Sequence, residues 1–186
     1  MKKLVILFGF LNLGVTNLEA QDFKNFFERL NSFNKFEQYD EVDQEILEVS
    51  NYIISAPIQR KNFTEKYYYA VKSLVKWCSH TESYRIFIFG KVIESCNDDD
   101  LMKNMYMAAM AKYLIEQRYE NNRHVFPEKQ PDIKYSELPE VKETLLEGAK
   151  IFFDYLENVA DERPNKELRR GIKAANEGTL EAYMFE

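Results

Sequence analysis

Residues that break regular structure are scarce in this chain. Six glycines and five prolines serve 186 residues, too few for a turn-dense β-sandwich or barrel, so an all-α fold is expected. Histidine and cysteine each occur only twice. No HExxH, CxxC or GxSxG string is present, which removes the common metalloprotease, redox and serine-hydrolase motifs. A basic excess is missing too. With a net charge of -6 and a pI near 5.2, counterion-driven binding has no electrostatic support, and no nucleic acid is expected as a partner. After Val15 no apolar run approaches the ~20 residues that cross a bilayer, so the chain is expected not to be membrane-spanning.

What is present begins with an export signature. Lys2 and Lys3 precede an apolar run from Leu4 to Leu11 that continues past Asn12 to Val15, and Leu18-Glu19-Ala20 offers a small residue at a cleavage position. Residues 1–20 therefore read as a signal peptide, with residues 21–186 as one α-helical domain, periplasmic or secreted after processing. Losing Lys2, Lys3 and Glu19 takes the net charge from -6 to -7. Export permits a disulfide, and Cys78 and Cys96 are its candidates. Both also follow apolar positions at helical spacing, where a free thiol serves as a small hydrophobe.

Helical periodicity organises the rest. Phe23, Phe26, Phe27, Leu30 and Phe33 recur every three or four residues, and Val42, Ile46, Val49 and Ile53 repeat the pattern up to Ala56-Pro57. Asn62-Phe63-Thr64-Glu65 has the form of a capping box for a helix over 64–79 that carries Tyr67, Val71, Leu74 and Cys78 on one face. The run Ile86-Phe87-Ile88-Phe89 has no resolvable period, so residues 84–89 fit a strand or a helix; a short helix over 87–95 is the preferred reading. Residues 101–119 are apolar all round near Met105 to Ala111 and belong at the centre. Residues 120–139 hold three prolines and read as a long, flexible loop. Helices over 141–156, 165–175 and 179–185 complete an irregular array of about six to seven antiparallel helices, with no solenoid period.

Chemistry-bearing constellations are thin. Cys78-Ser79-His80 with Cys96 and His124 lacks the paired spacing of a zinc site, and Asp98-Asp99-Asp100 lacks the glycine and the distant glutamate of a calcium loop. The acidic run is explained by capping of the next helix. Tyr67-Tyr68-Tyr69 with Trp77 suits core packing with an amphipathic rim, and Glu143, Glu147 and Lys150 suit pairing within one helix. No metal, cofactor or catalytic residue is nominated. The phenylalanine-rich segment 23–36 must bury its face somewhere. Packing on its own domain is preferred, and otherwise Phe23, Phe27 and Leu30 anchor a partner or a membrane surface.

Four strings fall in one order. They are Asn51-Tyr52-Ile53-Ile54-Ser55-Ala56-Pro57, then Val75-Lys76-Trp77 followed by Thr81-Glu82-Ser83-Tyr84, then Tyr106-Met107-Ala108-Ala109-Met110-Ala111-Lys112, and finally Ala174-Ala175-Asn176-Glu177-Gly178-Thr179-Leu180-Glu181-Ala182-Tyr183. Over positions 50 to 185 the chain thereby resembles a family of exported α-helical proteins of Bacteroidetes to which no activity is assigned. The resemblance implies compartment and helical fold and carries over no site residue. Three function classes follow. A non-catalytic protein-interaction or assembly module of the cell envelope stands first, a carrier of an apolar small ligand in a helical cavity second, and a hydrolase using carboxylates third.

Overall fold

In the computed structural model, residues 20–57, 63–161 and 163–186 are described, and all regular structure among them is helical. The signal peptide at 1–20 lies outside these residues except for its last position, and Asn62 of the capping box lies outside them as well. The helices are α1 (Ala20–Ser32), α2 (Glu37–Asp40), α3 (Asp43–Ser55), α4 (Glu65–Cys78), α5 (Lys91–Ser95), α6 (Asp100–Glu120), α7 (Pro139–Asn158), α8 (Lys166–Asn176) and α9 (Leu180–Phe185). Among the described residues the helix not expected is α2, a piece of four residues; α5 and α9, of five and six, are likewise shorter than two turns.

Packing follows a spatial order that differs from chain order. α1 lies on α4, α4 on α3, α3 on α6, α6 on α7, and α7 on α8. α6 is central. Ala108, Ala109, Met110 and Ala111 are consecutive and all fully covered, which only a helix with neighbours on every side achieves. Two glycines permit close approach. A Cβ on Gly148 of α7 would stand 2.5 Å from Met110 Cγ of α6, and one on Gly171 of α8 would stand 2.2 Å from the Phe153 ring. The outermost pair breaks the antiparallel rule. Phe23 lies under Lys66 (5.5 Å) and Phe27 beside Tyr69 (6.0 Å) and Lys72 (5.5 Å), so α1 and α4 advance together.

Capping chemistry fixes the element starts. Thr64, rather than Asn62, is the N-cap of α4 and accepts from the Tyr67 amide at 3.2 Å; Asp99 caps α6 and Asn165 caps α8 in the same way. Pro139 opens α7 at its first position. The expected helix over 87–95 is shortened to α5. Gly90, with φ of 93° and ψ of 175°, stops the helical path immediately before Lys91. Residues 84–89 form neither helix nor strand.

The bridge weighed between Cys78 and Cys96 is not formed, and both thiols are free. Trp77, the neighbour of Cys78, packs on Tyr84, which touches Arg118 at the end of α6, whereas Cys96 precedes the start of α6. A helix of 21 residues separates those ends by ~30 Å, and a disulfide needs Cα atoms within ~7 Å. Burial raises both thiols, Cys96 to about 12.

Candidate functional site

Two irregular segments, 81–90 and 121–138, lie side by side against the bundle and form the face where function is best sought. The first segment is anchored by carboxylates. Asp40 of α2 accepts from Thr81 Oγ1 at 2.8 Å and from Ser83 Oγ at 2.6 Å. Asp43, the first residue of α3, is 1% exposed and accepts from the Tyr84 hydroxyl at 2.6 Å and the Tyr119 hydroxyl at 3.1 Å through Oδ2, with Arg118 Nη1 at 3.6 Å. Arg118 also donates to the Tyr84 oxygen at 3.3 Å. Burial outweighs these partners and holds the Asp43 pKa above the ordinary carboxylate range. Tyr84 is raised as well, first by burial and then by its bond to Asp43, so it stays a donor.

Asp43 and Tyr84 are the covered centre of this network, while Tyr119 at its rim is 52% exposed. Asp43 Oδ1 is buried without a hydrogen-bond partner, and both Asp40 oxygens are taken by hydroxyls. The pair holds the chain in place. Its effect is to pin residues 81–84 across α2, α3 and α6. Trp77 Nε1 adds a bond to the Tyr39 carbonyl (2.8 Å), and His80 stacks on Tyr39 at 4.9 Å.

The second segment completes the face. His124 Nε2 donates to the Ser83 carbonyl at 2.6 Å, the Arg85 guanidinium lies over Phe126 at 4.8 Å, and Val125 and Pro127 are buried. The expected flexible loop is thus laid against the body at these points. Downstream, Phe87 contacts both Phe89 (5.4 Å) and Tyr135 (6.1 Å). Ile88 is 71% exposed, and Phe89, Ile133 and Tyr135 are exposed as well. Among the described residues, no hydrogen bond engages a backbone amide or carbonyl from Arg85 to Phe89.

Cavities elsewhere differ in size and enclosure. One of about 100 Å³ lies between Gly90, Tyr106, Leu145 and Met184, below the 300 Å³ or so typical of small-molecule sites. An open cleft of about 450 Å³ lies between the N-termini of α6 and α8, bordered by Asp98, Asp99, Arg163 and Asn165. Among the described residues, no three His, Cys, Asp or Glu side chains are placed to hold a metal ion.

The proposed anchors of the N-terminal helix are placed inward. Phe23 and Leu30 are covered, at 2% and 0% exposure, and Phe27 is half-buried between Tyr69 and Lys72. As α1 sits, Phe23 and Leu30 offer no surface to a partner. Glu147 pairs with Lys150 within α7 as expected, at 2.6 Å, but Glu143 reaches off its helix to Arg123 (2.5 Å) and to Tyr113. Those two partners lower its pKa, overcoming burial, which acts in the opposite direction. Sequence reasoning missed Asp40 and Asp43 because their partners lie about forty positions away. A signal was present: Asp43, Ile46 and Ser50 share the spacing of a buried face, which marks a carboxylate on a core stripe. Comparison with protein-family models, curated proteins and solved structures finds no match.

Proposed function

We propose that this chain is a non-catalytic protein-interaction module of the cell envelope, engaging its partner through the face built by residues 85–89 and 133–135. The supporting observation is that Ile88, Phe89, Ile133 and Tyr135 are exposed apolar side chains on two segments joined through Phe87, which contacts both Phe89 and Tyr135, and tied to the bundle. Apolar side chains gathered on an ordered surface favour a protein partner, because burying each supplies roughly 1.5–3 kcal/mol. The export reading of residues 1–20 supplies the compartment. The carrier and hydrolase readings gain less support, since the methionines of α6 are packed in the core and the Asp40–Asp43 pair is closed.

The test places a photocrosslinking side chain at position 88 in cells that make the protein, with position 181 on exposed α9 as control. A discrete adduct is expected from position 88 alone. Equal labelling from both positions, or none from 88, refutes the reading.

A further inference from the structure

Phe89 belongs to two features. It is one of the exposed apolar side chains of the interaction face, and it also lines the cavity of about 100 Å³ together with Gly90, Tyr106, Leu145, Met184 and Phe185. The exposed residues of the lining are Phe89, Lys91 and Ser136, and the chain neighbours of the first and last of these are Ile88 and Tyr135. The opening therefore borders the face. Inside, Tyr106, Leu145 and Met184 are covered, and the Tyr106 hydroxyl is bound to the Leu145 carbonyl at 2.8 Å, so an occupant need not hydrogen-bond there.

Size and charge say what enters. An apolar cavity of ~150 Å³ takes a benzene ring, so one of about 100 Å³ takes the roughly four carbons of a leucine side chain and excludes a ring. The Lys91 ammonium lies over Tyr183 (5.8 Å), and that of Lys142 lies over Phe185 (5.6 Å), itself a lining residue. Among the described residues, Lys91 is the one charged member of the lining, and neither it nor Lys142 forms an ion pair. Two cations without a counter-charge beside an apolar socket are complemented by carboxylates on whatever fills it. We propose that the cavity receives one leucine-sized aliphatic side chain from an acidic segment of a partner protein; this rests on the interaction-module reading and gives the partner's chemistry. Binding energy in an interface concentrates on the few side chains that fill such pockets, and Ile88, Ile133 and Tyr135 then serve as the apolar surround that excludes water. A free small molecule suits the cavity less, since its sites start near ~300 Å³.

The probe is the acetylated and amidated pentapeptide Ser-Glu-Leu-Glu-Ser, titrated into the purified protein while the Met184 methyl resonance is followed by NMR. A saturable shift is expected, with binding weakened at least about fivefold when phenylalanine or alanine replaces the leucine or when lysine replaces both glutamates. Lys91→Glu and Ser136→Phe, both at exposed positions, should weaken binding by a similar factor with melting temperature unchanged, whereas Lys166→Glu on α8 should have no effect. In cells, the first two variants should also remove the position-88 adduct. No shift with the leucine peptide overturns the proposal, and so does equal binding of the phenylalanine or the lysine peptide. A shift with sodium isovalerate and none with the peptide assigns the cavity to a small acid, and a shift that follows protein concentration without peptide assigns it to a second copy; either overturns the proposal. A position-88 adduct that survives both Lys91→Glu and Ser136→Phe leaves the interaction-module reading standing and removes the cavity from it.

Discussion

Asp43 and Glu143 are both carboxylates at inter-element contacts, yet their surroundings push them in opposite directions, and the pH dependence of stability should separate them. Burial raises Asp43, so the folded state holds its proton more tightly than the unfolded chain does. Its contribution is present below its unfolded pKa and is lost as pH rises through the folded one. Glu143 is lowered by Arg123 and Tyr113 despite its burial, so its contribution is present above its unfolded pKa and is lost as pH falls through the folded one. Urea titrations between about pH 3 and 7 cover both windows. Asp43→Asn should gain on the parent as pH rises, and Glu143→Gln should lose ground over the same range. A pH-independent difference for either variant would contradict its assignment. Asp43→Ala removes the acceptor from Tyr84, Tyr119 and Arg118 together and should cost about 3 kcal/mol.

Between elements, the two contacts at glycine determine how closely helices approach. Alanine at 148 must push Met110 away from α7, where Met110 Cα itself is only 3.3 Å from the new carbon, and alanine at 171 must displace the Phe153 ring. Overpacking of this kind costs about 1–3 kcal/mol, which exceeds the ~1 kcal/mol gained in helix propensity. Both variants should therefore melt below the parent. Adding Phe153→Leu to Gly171→Ala should recover part of the loss, and a double variant no better than the single would show that the ring is not the obstacle. The long elements were legible from sequence because α3, α4 and α7 each carry enough turns for a 3.6-residue period to repeat, and α6 because an apolar run without breakers marks a central helix. Residues 84–89 were not. Four successive apolar residues have no period to read, and what holds them out of a helix is Gly90 on one side and carboxylates of distant elements on the other. The acidic run at 98–100 was legible as a cap because that interaction is local, within three residues of Asp99. Glu143 was misread because its partners are on other segments.

For the molecule as a whole, α6 is the element on which the others depend. Ala109 is fully covered between α3 and α7, and glutamate there would bury an unpaired charge at a cost of about 3–5 kcal/mol. Ala109→Glu should fail to give a cooperative thermal transition, while Ala109→Gly should fold with a loss near 1 kcal/mol. A glutamate variant melting like the glycine variant would remove α6 from the centre. The order of layers also has a bearing on how the molecule is made. α1 is the first of the described helices to be synthesised, but much of the surface that covers its phenylalanines belongs to α4, whose last residue comes 46 positions after the end of α1. At ~5–20 residues per second the apolar face of α1 waits roughly 2–9 s for its cover. During that interval its phenylalanines stand uncovered, and a holding chaperone that recognises aromatic side chains would find its binding sequence there before any fold exists to compete.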